Sequence, residues 1–294
     1  MQHIDESIRY ILDKSKEDRI FFSKCDKWFD YRKASEIFKI LEDLLKHPPV
    51  LRMPNLLITA ETNNGKTALV RKFYSKYKPH VEIENNRISG RAIYVQAPPI
   101  PDERRFYNTL LEELNISYCI SDKLEKKRIQ VLNALQNLGT KMVIIDEIHH
   151  IQAGSLVKQI AFINMLITLS DLLQIVIITV GIFEAHSSFA ISSQFSNRFD
   201  WISLPKWELN EDYFRLLENF AKFLPLHHPS TIQDPKIASK ILKMSEGTIG
   251  EISKILTIAS IKAIISETEQ VDSHILENIN YLTPSNRRAY SSFF

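Results

Sequence analysis

Residues 55–74 narrow the choice of folds more than any other stretch. An apolar run, Asn55-Leu-Leu-Ile-Thr59, passes directly into Ala60-Glu-Thr-Asn-Asn-Gly-Lys-Thr67, and Thr67-Ala-Leu-Val-Arg-Lys-Phe-Tyr74 then opens a helix. A strand apolar on both faces needs cover on both sides, which parallel sheets receive from crossover helices. The same alternation continues downstream. Strands are expected at 92–96, 141–145, 174–180 and 201–204, and helices at 102–115, 121–138 and 155–172. Strands alternating with helices imply an α/β core with a parallel five-stranded sheet. After Pro205 only helical periodicity remains, near 211–224, 234–245, 249–268 and 273–280. The expected organisation is a helical segment over 1–50 packing on the core, the α/β core over 51–206, a small helical lid over 207–283 and a tail over 284–294.

The turn after the first strand carries chemistry. Gly65, Lys66 and Thr67 supply the last three positions of the P-loop pattern G-x-x-x-x-G-K-[ST], while Ala60 stands where the first glycine would be. Backbone N–H groups of such a loop and of the helix start face phosphate oxygens. The lysine neutralises the β and γ oxygens, and the hydroxyl binds Mg²⁺. Thr62, Asn63, Asn64, Gly65, Lys66, Thr67 and Ala68 are thus the expected nucleotide-binding residues, with ATP and Mg²⁺ as ligands. Ala60 is harmless at negative φ and strained at positive φ.

A second element agrees with the first. Met142-Val-Ile-Ile-Asp146-Glu147 is an apolar strand ending in two carboxylates, in the right order after Lys66. Asp146 is expected to hold Mg²⁺ with Thr67, and Glu147 to orient and deprotonate the attacking water. Ligands at carboxy ends of parallel strands suit the open α/β fold. Thr179, read as the polar residue in which the fourth strand ends, is a candidate contact for the γ-phosphate or its water. Gln96, closing the second strand, is a candidate restraint on Glu147. His149 and His150 read as ordinary helix-start histidines, because a helicase box would need a second RecA-like domain. Arg198, just before the fifth strand, is a candidate finger reaching a neighbouring subunit's γ-phosphate. The chemistry expected is ATP hydrolysis.

Composition excludes several classes. The 37 basic and 35 acidic side chains leave a net charge of +2, so any nucleic-acid binding must come from a local patch. Cys25 and Cys119 are far apart without metal-ligand spacing, and read as buried or half-buried thiols. No apolar run approaches a membrane span and the start lacks a signal peptide's pattern, so a cytoplasmic location is expected.

Several strings resemble one family. Arg52-Met-Pro-Asn-Leu-Leu-Ile58, Thr62-Asn-Asn-Gly-Lys-Thr67, Val95-Gln-Ala-Pro-Pro99 with Pro101-Asp-Glu-Arg-Arg-Phe-Tyr107, and Phe195-Ser-Asn-Arg-Phe199 with Leu204-Pro-Lys-Trp207 are similar to TniB proteins. These are relatives of TnsC, the AAA+ regulators of DNA transposition. The resemblance runs from about Trp28 to Trp207, and more weakly through Gly247-Thr-Ile-Gly250. It implies an AAA+ ATPase that forms rings or helical filaments on duplex DNA. It also implies recruitment or activation of a DDE transposase, and control by a TniQ-like target selector. By the same analogy Arg104 and Arg105, with Ser121 and Lys123 on a nearby turn, would meet DNA phosphates. Residues Lys123 to Arg128 otherwise read as a solvated face. Trp28 and Tyr31 would pack near adenine or in a core, and the basic, aromatic tail from Asn286 to Phe294 would dock a partner or fray. The segment Gly247-Thr-Ile-Gly250-Glu251 lacks the arginine many AAA+ proteins place there. Two alternatives share the P-loop features: an ATP-gated scaffold with negligible turnover, and a loader or initiator ATPase of replication or repair.

Overall fold

The computed structural model describes residues 3–82, 87–189 and 196–291, with side chains from 81 to 89 and from 290 onward left aside. Phe195 and the last three residues of the tail therefore lie outside the described residues. The chain divides into two compact units. One comprises Ala34–Thr62 and Lys66–Pro205; the other comprises Met1–Lys33, Asn63–Gly65 and Lys206–Phe294.

The first unit is built on a five-stranded sheet. Its strands are β1 (Asn55–Ala60), β4 (Ala92–Gln96), β5 (Met142–Asp146), β6 (Val176–Gly181) and β7 (Phe199–Leu204). Their order is β4-β5-β6-β1-β7, and every pairing is parallel. All residues of β1, β5 and β6 are buried, as a doubly covered sheet requires. The sheet is flanked in sequence by α2 (Arg32–Leu45), α3 (Lys66–Tyr77), α4 (Glu103–Glu113), α5 (Leu124–Asn137), α6 (Leu156–Leu173) and the short α7 (Ala185–Phe189). A small antiparallel pair, β2 (His80–Glu82) with β3 (Arg87–Ser89), was not expected from periodicity, each strand being only three residues long.

Asn55 shows how the sheet is locked. Its side-chain oxygen accepts from the Ile177 N–H at 2.8 Å and from the Ser170 hydroxyl at 3.1 Å, joining β1, β6 and α6 around one buried amide. Helix α6 corrects one expectation. It is long and apolar enough, by length and composition, to cross a membrane. Within its unit it is a core helix: Phe162, Ile163, Leu166 and Leu169 sit in the main apolar cluster beside Val143, Ile145 and Ile177.

The second unit is helical: α1 (Lys16–Lys24), α8 (Glu211–Lys222), α9 (Pro235–Ser245), α10 (Ile249–Ile265), α11 (Ser273–Glu277) and α12 (Pro284–Ser291). The segment expected over 1–50 divides between the units, its first 33 residues being grouped with the helical one. Phe29 packs at a tilt against Phe220, ring centroids 4.4 Å apart, and lies in the cluster formed by Tyr213, Leu217, Ile252 and Ile255. The apolar stripe of the amino-terminal segment is completed by helices more than 180 residues away, which local periodicity cannot reveal. Arg19, 3% exposed, donates to Pro225 O and pairs with Glu269. Cys25 and Cys119 are exposed free thiols rather than buried ones.

Candidate nucleotide site

In the sheet unit the site begins where β1 ends. Ala60 is fully buried as the last strand residue and does not belong to the positive-φ residues. The missing glycine therefore carries no strain. The loop turns through left-handed backbone at Asn63 (φ 61°) and Gly65 (φ 80°), an asparagine and a glycine, the two residue types that accept it most readily.

Lys66, 7% exposed, donates to Ala60 O at 3.0 Å and to Glu61 O at 2.8 Å, so its ammonium is folded back over its own loop. Burial holds it below the usual lysine range, opposed by Glu147 and Asp146. Thr67 donates its hydroxyl to Asp146 Oδ2 at 2.7 Å. Asp146 is wholly buried at the carboxy end of β5, and also accepts from the Tyr94 hydroxyl at 2.9 Å and from the Glu147 N–H at 2.8 Å. The hydroxyl and carboxylate expected to share Mg²⁺ are thus adjacent, at the end of a central strand. An alkoxyl and a carboxylate oxygen are the donors that hard cation takes. The donor set fits a Mg²⁺-phosphate ligand.

Tyr94 was missed by sequence reasoning. It stands two residues before Gln96, hence on the same face of β4, and its hydroxyl links Asp146 to Arg71, whose Nε lies at 3.4 Å. Burial pushes the phenol up to about 12, so it stays protonated and donating. Its alternation with Gln96 was the available signal; an aromatic in an apolar strand reads as core.

Glu147 has φ 57° and ψ 33°, left-handed backbone for a residue with no intrinsic ease there. Its Oε2 lies 3.3 Å from Nε2 of His149. His149 is therefore a partner of Glu147 and not a bystander, whereas Gln96 is exposed beside Asp146 in the β4–β5 register. Burial lowers the affinity of His149 for a proton, with Glu147 opposing. Glu147, His149 and His150 bring ligand-capable atoms within 4.8 Å of one another, an arrangement that could take up a transition-metal ion.

Other expected site residues fall differently. Thr179 is not at the strand end: β6 continues to Gly181, and the fully buried Thr179 hydroxyl faces Leu56 O at 3.4 Å. Arg198 is paired with Asp171 within its own unit. Arg104 is exposed and reaches Asp122 O at 3.2 Å, which brings the start of α4 to the turn holding Ser121 and Lys123, both exposed. Arg105 is exposed on the same helix. The stretch from Lys123 to Arg128 is not wholly solvated. Lys127 is fully buried, donating to Asn108 Oδ1 at 2.8 Å and to Ile120 O, with its ammonium 4.6 Å from the Tyr118 ring.

In the helical unit, Asn63 and Asn64 meet the start of α10. Asn63 O accepts from the Gly250 N–H at 3.0 Å, and Asn64 Oδ1 from the Ile249 N–H at 3.3 Å. Trp28 donates to Asp30 at 2.8 Å, and Tyr31 packs edge-on against Trp207 at 5.2 Å, its hydroxyl pushed up to about 12 by burial.

A parallel sheet ordered β4-β5-β6-β1-β7, a Gly-Lys-Thr loop after β1 and paired carboxylates after β5 define a P-loop protein of the AAA+ type. Solved structures of that fold agree. The chain is similar to the ORC2 protein of Aeropyrum pernix in its ADPNP-ADP complexes (TM-score 0.59, 15% identity, 94% of this chain and 72% of that one). It is similar to Cdc6p from Pyrobaculum aerophilum (0.58, 12%, 94% and 70%) and to the Aeropyrum pernix ORC1 protein in complex with DNA (0.56, 13%, 92% and 69%). At these identities the likeness is one of fold. Residues 19–209 match the bacterial TniB protein family, and the chain belongs to it. No curated protein matches the chain.

Proposed function

We propose that this chain is an ATP-hydrolysing regulator of DNA transposition that assembles on duplex DNA in its ATP state. The observation that supports it best is the buried Asp146 accepting from Thr67 at the end of β5, next in sequence to Glu147, in a TniB-family chain. Bound Mg²⁺ would supply charge neutralisation at the β and γ oxygens. The chain's own residues do the rest. Backbone groups from Thr62 to Ala68 receive phosphate oxygens, and Lys66 exchanges two loop carbonyls for them. Thr67 and Asp146 would hold the metal, and Glu147 accepts a proton from water once His149 releases its carboxylate. Arg198 acts on a neighbouring subunit's phosphate only after leaving Asp171. Thr179 takes no part in this scheme, its hydroxyl being spent inside the sheet.

Arg104, Arg105, Ser121 and Lys123 form a small exposed basic patch suited to backbone phosphates, with little base specificity. The partners are duplex DNA, further copies of the chain in a ring or filament, a DDE transposase and a TniQ-like selector, in a cytoplasmic setting. The DNA-bound ORC1 protein, similar in fold, supports a DNA-facing role and equally a second reading, an initiator or loader ATPase.

Sedimentation and negative-stain microscopy with duplex DNA and ATP, a non-hydrolysable analogue, ADP or no nucleotide test the proposal. Oligomers are expected only with DNA and a triphosphate. A chain that binds ATP and ignores DNA in every state sinks the transposition reading. Stimulation by a transposase separates the regulator from the loader. Unchanged phosphate release in Glu147→Gln would identify an ATP-gated scaffold.

A further inference from the structure

Helix α10 begins with backbone donors that no turn of helix can use, as every α-helix does. Two of them, the N–H groups of Ile249 and Gly250, are taken by Asn64 and Asn63 of the phosphate loop. Gly250 permits this approach. A β-carbon there would lie 2.0 Å from Asn63 Oδ1. The next residue, Glu251, is 6% exposed and accepts from Asn63 Nδ2 at 3.0 Å through Oε1.

Its other oxygen faces the end of the chain. Glu251 Oε2 accepts from the Tyr281 hydroxyl at 2.6 Å and pairs with Arg287 Nη2 at 2.5 Å. Burial pushes the Glu251 carboxyl up, but Arg287, Tyr281 and Asn63 outweigh it and hold it below the usual carboxylate range. A carboxylate this buried without its cation would be expelled, breaking its bond to Asn63, or protonated, which leaves only a weaker neutral acceptor there. The neighbouring Arg288 pairs instead with Glu246, at an exposed position.

We propose that Glu251 is a positioning residue for the phosphate loop, fixing Asn63 in its left-handed conformation, and that Arg287 makes helix α12 a regulator of nucleotide affinity by keeping Glu251 charged and in place. The inference deepens the ATP reading and rests on it for its consequence, though not for its geometry. A partner that draws α12 away would loosen the loop and release nucleotide. No contact of α12 with nucleotide is required.

The test compares the full-length chain with Glu251→Gln, Arg287→Ala, Arg287→Lys and, as a control, Arg288→Ala. Hydrogen exchange of the peptide spanning 60–67, without nucleotide, is expected to quicken in the first two, to recover in Arg287→Lys and to stay unchanged in the control. The Kd for ATP should rise about fivefold in the first two, since the charge that strengthens the bond from Asn63 is lost or displaced while Glu251→Gln keeps a neutral acceptor oxygen there. Turnover at saturating ATP should change little, since the catalytic carboxylates are untouched. Unaltered exchange at 60–67 in a folded Glu251→Gln overturns the proposal. Faster exchange in a chain that binds no ATP at all keeps the positioning role and refutes the nucleotide reading. Should Glu251→Gln fail to fold, Tyr281→Phe, which leaves the carboxylate in place, is expected to give a smaller acceleration, and none would overturn the proposal.

Discussion

Glu147 occupies left-handed backbone immediately after a fully buried strand. For an L-residue other than glycine this costs about 1 kcal/mol, and such strain persists where function needs a side chain aimed in one direction. Glu147→Gly should therefore stabilise the sheet unit by about 1 kcal/mol, raising Tm by roughly 2–4 °C, while abolishing hydrolysis. Thermal melts beside phosphate-release assays check both halves; a lower Tm would show that the backbone there is not strained. Tyr94→Phe removes one of three donors to Asp146 and leaves the ring. It should cost about 1 kcal/mol and raise the Mg²⁺ concentration needed for half-maximal hydrolysis. A Mg²⁺ dependence identical to wild type would confine Tyr94 to a packing role.

Among the elements, α1 depends most on a distant partner. Arg19 spends its guanidinium on Pro225 O and on Glu269, and it is buried. Arg19→Ala leaves Glu269, whose side chain is 14% exposed, without its cation. The loss should be about 3 kcal/mol, and the double change Arg19→Met with Glu269→Leu should recover most of it. Burial pushes the Glu269 carboxyl up, but Arg19 more than offsets this, so the folded group titrates below its ordinary 4.5. Stability from this pair is complete above pH 4.5 and drains as pH falls through the lower folded value. Urea melts between pH 3 and 6 should show that decline in the wild type and a shallower one in Arg19→Ala.

The whole molecule carries a net charge of only +2, so long-range attraction to DNA is weak and any binding must be local. On the proposed phosphate contacts of Arg104, Arg105 and Lys123, the dependence of log affinity on log salt should be shallow for a single subunit and multiply on assembly. Arg104→Ala should flatten the slope by about 1 per subunit and weaken all sequences alike. Binding titrations from 50 to 200 mM salt decide this. A slope unaltered by Arg104→Ala places the DNA contact elsewhere.

Much of this was legible in the chain because its signals are local. Apolar runs of four to seven residues marked the five parallel strands, and residue order alone put Lys66, Thr67, Asp146 and Glu147 at or just after the strand ends that present them. Thr179 was misplaced by two residues because strand ends are set by pairing with β1, which leaves no mark in the sequence. Cys25 read as buried or half-buried on residue type alone, although exposure depends on neighbours far along the chain. The same limit hid Tyr94 on Asp146, His149 on Glu147, Arg198 on Asp171 and Lys127 under Tyr118. The sequence by itself determined the parallel α/β sheet, the order of its elements and which residues are candidates for holding phosphate and metal, since hydrophobic period and motif spacing act over short stretches. Only the tertiary structure decided which helices complete the amino-terminal segment, what each buried charge is paired with, and that Glu251 joins Asn63 to Arg287, because burial and ion pairing are settled between residues that the chain keeps up to 250 positions apart.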